Sequence, residues 1–344
     1  MNFPYISHYS TSAGASSTLP RPSYDPALET IRRHFSSDSS PSVESIRIGF
    51  NDFDIDAILA QYDHLEHKEY TITSQEQNVS HEILLSVFKN KGSTSNTRPA
   101  IYHIHGGGQI SGTRLSGIGS VFPWYRGIDA VHITVEYRLA PEHPAPAAFS
   151  DCYTGLVWVA DNAEELGIDS KKILIQGLSG GGPLAAACAI KARNKRYPEL
   201  CAQLLCAPML DCSGKSVSEQ QYEDGAVWSG KTNKMAWDCV LGRDDGSNIE
   251  SKPSAGPVNE LVSPLLATDM VGVAQAFIDV GEAEVFRDGA VEYASMLWKN
   301  GVSAELHVWP GAWHGFYLLA PDVPVSRAAI EAKKSWIRRV LDCA

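Results

Sequence analysis

No stretch of this 344-residue chain holds about 18 consecutive apolar residues, so no helix is expected to cross a bilayer. Residues 1–17 have neither a basic start nor an apolar centre, and no secretory leader is expected there. Cysteine is scarce and unpatterned. The seven residues are an odd number without Cys-x-x-Cys spacing, so they read as reduced thiols in a reducing compartment, and a cytoplasmic location is expected. In that setting the Asn78-Val79-Ser80 sequon is incidental. Positive charge is also short: 29 Lys and Arg stand against 40 Asp and Glu, a net charge of −11 that argues against nucleic-acid partners and anionic membranes.

The rest of the composition is that of a globular enzyme, 44% hydrophobic and 20% charged, with enough chain for a large single core. Strand-like runs fall near 68–74, 81–88, 99–104, 130–136, 172–176, 203–207, 275–281 and 304–309. The first two read as an antiparallel pair. From residue 99 onward strands alternate with helical patterns, which predicts a mostly parallel sheet covered on both faces. Val291, Ala294, Leu297 and Trp298 form one apolar helical stripe, and Ile330, Trp336, Ile337, Val340 and Leu341 another. Two segments fall outside this alternation. Residues 1–60 are Ser/Pro-rich and then helical over Pro26 to Phe35 and Ile55 to Tyr62, and residues 209–274 make a long excursion between two strands.

The chemistry concentrates in Gly177-Leu178-Ser179-Gly180-Gly181, which follows the apolar run Ile173-Leu174-Ile175 and opens a helical stretch from Pro183 to Arg193. Strand, tight turn and helix are the setting of a nucleophile elbow, where a strained turn carries the serine and its neighbours must be glycine. A glycine-rich βα loop without chemistry could carry the same five residues, so the match needs support. Upstream, the strand Ala100 to Ile104 runs into His105-Gly106-Gly107-Gly108, a loop able to present bare N–H groups to an oxyanion. Downstream, His314 lies in a glycine-flanked loop after the run Ala304 to Val308, and between them the strand Ala276 to Val280 ends in Gly281-Glu282-Ala283-Glu284. The order serine, acid, histidine is that of an α/β-hydrolase triad.

With these motifs, and with Tyr137-Arg138-Leu139-Ala140-Pro141-Glu142-His143-Pro144 and Ser263-Pro264-Leu265, the chain resembles the hormone-sensitive-lipase-like family of α/β-hydrolase esterases over about residues 98 to 317. The resemblance implies an α/β-hydrolase fold, a mostly parallel eight-stranded sheet flanked by helices with a helical cap. The catalytic domain would span 61–344, with the 1–60 segment contributing to the cap and 209–274 inserted as its main part. It implies Ser179, Glu284 and His314 as catalytic residues, the backbone N–H groups of Gly107, Gly108 and Gly180 as oxyanion hole, and a small-molecule ester as substrate. No metal and no cofactor is called for, and relatives that pair through an edge strand allow a homodimer. The family usually has Asp where Leu178 stands and Ala where Gly180 stands, and its triad acid is usually Asp rather than Glu284.

Among rival acids, Asp279 lies inside its strand and Asp288 stands where a helix begins, as a cap would. His103 and His132 read as core residues, His307 as a strand residue, and His105 as a brace for the glycine loop. Arg138 and Glu142 read as a structural ion pair. Leu178, Trp228, Trp237, Trp313 and Phe316 are expected to line an apolar pocket for uncharged, hydrophobic short- or medium-chain esters or lactones, unless the aromatics only pack the insertion's own core. An acyltransferase or cyclase on the same scaffold stays open, and so does a ligand receptor, although all three triad residues are present.

Overall fold

A computed structural model describes residues 19–35, 42–50, 54–76, 79–243 and 256–341. The expectations on residues 1–17 and on Asn78 lie outside the described residues. One sheet contains all eight expected runs: β1 (Leu65–Glu76), β2 (Val79–Asn90), β3 (Arg98–Ile104), β4 (Val131–Val135), β5 (Ile168–Leu178), β6 (Ala202–Cys206), β7 (Ala276–Gly281) and β8 (Ala304–Trp309). Their spatial order is β1-β2-β4-β3-β5-β6-β7-β8. β1 and β2 are antiparallel, as are β2 and β4, and every pairing from β4 to β8 is parallel.

The period of two in a strand divides the core. Ala100, Tyr102 and Ile104 of β3 and Ile173 and Ile175 of β5 pack on one face with Leu156, Leu184 and Ala294 of the covering helices. Ile101 and Leu174 point the other way, to meet Trp124, Trp336 and Ile337. Both faces are covered, which is why β3 to β7 read as continuous apolar runs rather than alternating ones. Among the described residues no helix is long and apolar enough to cross a membrane.

One expected helical stripe is shifted, and the other packs as expected with one added member. In the helix Arg287–Lys299 the buried seam is Ala290, Tyr293, Ala294 and Leu297, while Val291 and Trp298 are exposed. The spacing 290, 293, 294, 297 follows the helical period, and Val291 lies a quarter-turn off it. In the helix Pro324–Val340 the seam contains Trp336 and Ile337 but also a charged residue, Lys333, which is fully buried. Its ammonium pairs with the buried Asp279 and lies 3.7 Å from the centroid of the Tyr317 ring. Trp309 also donates to Asp279, at 3.2 Å, so that carboxylate is committed to structure.

Residues 19–35 cross the sheet's C-terminal end. Asp25 N–H donates to Gly311 at 2.9 Å, Trp313 donates to the Leu28 carbonyl at 3.1 Å, and Tyr222 of the 209–274 excursion donates to the Pro22 carbonyl at 2.8 Å. Among its described residues that excursion carries two α-helices, Val217–Gln221 and Gly230–Val240, and a 3-10 turn, Pro264–Leu266. Both segments therefore gather where the loops after β3, β5, β7 and β8 emerge, the end at which open α/β sheets place their ligand sites.

Candidate active site

Ser179 follows β5 at φ 51°, a left-handed conformation that a non-glycine residue holds only under constraint. The constraint is visible: its N–H donates to Cys206 at 2.9 Å, and its carbonyl accepts from Gly182 at 2.9 Å and Met209 at 3.1 Å. The helix Gly181–Lys195 starts two residues later and turns its N-terminal, partly positive end to the serine.

His314 Nε2 lies 2.9 Å from Ser179 Oγ, and its Nδ1 lies 2.6 Å from Glu284 Oε2. Glu284 is almost wholly buried, and its other oxygen accepts the Gly281 N–H at 2.7 Å. A carboxylate held on both oxygens fixes the plane of the imidazole, so the ring's Nδ1 carries a hydrogen and Nε2 is free to accept one. The remaining acidic candidates are elsewhere: Asp279 is paired with Lys333, and Asp288 accepts the Ser218 N–H at 2.8 Å, capping the helix Val217–Gln221 rather than its own.

Across from the serine, the Gly107 carbonyl accepts from Ile110 N–H at 3.1 Å, from Ser111 N–H at 3.0 Å and from Ser111 Oγ at 3.0 Å. In a trans peptide the carbonyl and the following N–H point in opposite directions, so the Gly108 N–H is turned away from that cluster and toward the elbow. The approach is close: a Cβ on Gly180 would lie 2.5 Å from Gly108 N. Gly108 itself has φ 63°, and a Cβ there would be 2.6 Å from the Trp228 ring. A side chain at either position would force its neighbours to shift, the loop backbone at Gly180 and the Trp228 ring at Gly108.

His105 stacks on Tyr137 with ring centroids 4.1 Å apart, its Nδ1 lies 2.8 Å from the Gly106 carbonyl, and burial pushes its pKa down to about 4. A neutral ring holding the glycine loop fits a bracing role. His103 and His132 are buried in β3 and β4, both pushed down to about 3 chiefly by burial. His307, in β8, stacks on Trp309 and contacts Glu305 at 3.0 Å.

The expected ion pair between Arg138 and Glu142 is not formed. Arg138 binds the fully buried Asp151 from two nitrogens, each at 2.8 Å, and Glu142 takes Arg47 at 2.6 and 2.7 Å. The loop between them diverts the two side chains to different helices.

The five expected pocket residues separate. Trp228 lies over Gly108, its ring 6.3 Å from that of His314. Trp237 is buried with Val240 and Leu241 in the core on one face of the sheet, while Leu178, Trp313 and Phe316 are buried in the core on the other. Sequence reasoning passed over Phe286, whose ring stands edge-on to His314 at 5.1 Å, although its place two residues past Glu284 in an apolar pair with Val285 was a usable signal. A small cleft opens between Phe286 and Pro208, and Asp211, Glu219 and Asn233 also line it. Its wall is therefore partly polar. Burial raises the Glu219 pKa, against hydrogen bonds from Asn233 and Ser216.

Known proteins resemble this chain in sequence and in fold. The family described as alpha/beta hydrolase fold matches residues 101–318. The carboxylesterase NlhH of Mycobacterium tuberculosis is 34% identical over 251 residues, which cover 71% of this chain and 74% of NlhH. An arylesterase of Saccharolobus solfataricus is 34% identical over 202 residues, covering 59% of this chain and 63% of its own. Among solved structures, a bacterial heroin esterase superposes with a TM-score of 0.79 at 29% identity, covering 93% of this chain and 98% of that one.

Proposed function

Because the chain belongs to the hormone-sensitive-lipase-like family of α/β-hydrolases and is a serine carboxylic-ester hydrolase, we propose that its chemistry runs through Ser179, His314 and Glu284 by way of an acyl-enzyme. The observation that carries this reading is the unbroken chain from Ser179 Oγ to His314 at 2.9 Å and on to Glu284 at 2.6 Å, set opposite the Gly108 N–H.

Ser179 Oγ attacks the ester carbonyl and passes its proton to His314 Nε2. Glu284 stabilises the imidazolium through Nδ1–H. The carbonyl oxygen becomes an oxyanion received by the N–H groups of Gly107, Gly108 and Gly180, each donor worth ~10²–10³ in rate. When the tetrahedral intermediate collapses, His314 gives its proton to the departing alkoxide, and an alcohol leaves. Water then attacks the acyl-Ser179 carbonyl with His314 as base, and the carboxylic acid is released.

The substrates we propose are uncharged, hydrophobic esters or lactones of short or medium acyl length. Trp228 and Phe286 flank His314, and Asp211 and Glu219 beside them disfavour an anionic substrate. Residues 1–60 and 209–274 serve as the cap, a reading supported by the hydrogen bonds that Gln221 and Tyr222 donate to the Pro20 and Pro22 carbonyls. The test is a fluorophosphonate probe with a p-nitrophenyl ester assay: wild type is labelled and cleaves the ester, whereas Ser179→Ala does neither. An active, unlabelled Ser179→Ala would sink the mechanism.

A further inference from the structure

Arg47 stands in the helix Val43–Phe50, more than fifty residues before the glycine loop, and nothing in the sequence ties it to catalysis. In the folded chain its Nε donates to the Ile110 carbonyl at 2.8 Å, and Nη2 donates to the Ala140 carbonyl at 3.1 Å. Ala140 N–H in turn donates to the Gln109 carbonyl at 2.9 Å, so one guanidinium grips the glycine loop and the neighbouring strand of chain that also holds it. Glu142 takes the outer edge of the guanidinium.

The consequence follows from peptide geometry. The Ile110 carbonyl and the Ser111 N–H belong to one trans peptide and point in opposite directions. Arg47 holds the first, and the second donates to the Gly107 carbonyl at 3.0 Å. That carbonyl shares its own peptide with the Gly108 N–H, which therefore points the other way, toward Gly180 and the serine. We propose that Arg47 is a positioning residue for ester hydrolysis, aiming the Gly108 N–H at the oxyanion through two successive peptide units. The two units form a hydrogen-bonded chain with a cation at one end and the oxyanion at the other. Such chains polarise cooperatively, so the arginine strengthens the donor as well as orienting it. Arg suits the task better than Lys because its planar fork serves Ile110, Ala140 and Glu142 at once.

This inference rests on the oxyanion role assigned above to Gly108, and its test separates the two. Arg47→Met should lower kcat about tenfold, a fraction of the loss for deleting a donor, with KM within about twofold. Affinity for a trifluoromethyl ketone, which forms an oxyanion-bearing adduct with the serine, should weaken about as much as kcat, while inhibition by the product alcohol stays unchanged. Arg47→Lys should lose about threefold in kcat and in ketone affinity together. Glu142→Gln, which removes the ion pair and leaves the Ile110 contact, should stay within about twofold of wild type in kcat. The proposal is overturned if Arg47→Met keeps full kcat, if its loss appears in KM with ketone affinity unmoved, or if Glu142→Gln loses as much. Should Arg47→Met be insoluble, an Arg47→Lys enzyme with unaltered kcat and ketone affinity overturns it equally. An active Ser179→Ala would instead break the underlying reading.

Discussion

Glu284 and His314 meet at 2.6 Å while the far oxygen of the same carboxylate is held by the Gly281 N–H at 2.7 Å, so the acid proposed for the triad is anchored to the end of the strand that carries it. The longer glutamate arm turns back on its own loop to reach the histidine. Glu284→Gln keeps the shape but offers the imidazole an amide, which can hold the ring in the wrong tautomer. We expect kcat to fall by up to ~10⁴ with KM little changed, as for the serine protease whose triad Asp is replaced by Asn. Asp288→Asn should be mild, since an amide oxygen still accepts the Ser218 N–H. Kinetics of the two variants side by side decide the acid, and a reversed ranking would reassign it.

Gly180 gives a second test. A Cβ there would stand 2.5 Å from Gly108 N and 2.7 Å from Gln109 N, inside the space that backbone already fills. Gly180→Ala should push the loop back and cost ~10²–10³ in kcat, with fluorophosphonate labelling slowed in parallel. A Gly180→Ala enzyme within tenfold of wild type would mean that the loop yields without losing its aim.

Stability should fall in acid for a reason separate from Ser179, Glu284 and His314. His103, His105 and His132 have pKa values lowered from 6.5 to about 3, 4 and 3 in the folded chain, because burial disfavours the charged ring. Below pH 6.5 the unfolded chain therefore binds protons that the folded chain refuses. The stabilisation is complete above 6.5 and lost as pH falls toward 3 to 4, by about 1.4 kcal/mol per pH unit for each histidine once well below 6.5. Urea midpoints between pH 7.5 and 5 measure the slope. His132→Phe, whose ring would sit between Phe122 and Tyr125, should flatten it by one histidine's share.

The backbone-driven parts of this molecule were readable in its sequence, because elbow, glycine loop and histidine loop each lie next to a strand whose apolar run marks its end. Side-chain partnerships between distant segments were not. Arg138 and Glu142 are four residues apart and charge-matched, yet each is claimed by a helix, through Asp151 and Arg47. Lys333 sits among polar neighbours in the sequence, yet in the fold it is buried against Asp279, which lies 54 residues earlier. Trp237, Trp313 and Phe316 are buried in the two cores, and Phe286 is the ring that stands against His314.

Substrate choice should follow the wall around His314. Trp228 and Phe286 offer it two aromatic faces, and the adjoining cleft between Pro208 and Phe286 is small. Each methylene buried against such surfaces contributes roughly 0.8 kcal/mol, so kcat/KM should rise about three- to fourfold per acyl carbon until the space is filled and then decline. Asp211 and Glu219 border the same cleft, so an ester carrying a carboxylate meets like charge as well as desolvation. Measuring kcat/KM across p-nitrophenyl esters from acetate to decanoate, with a hemisuccinate as the anionic member, tests both effects. A rise through short chains, a decline by decanoate and poor cleavage of the hemisuccinate are expected. A flat series would mean that these rings serve only to pack the cap, and faster cleavage of the hemisuccinate would defeat the charge argument.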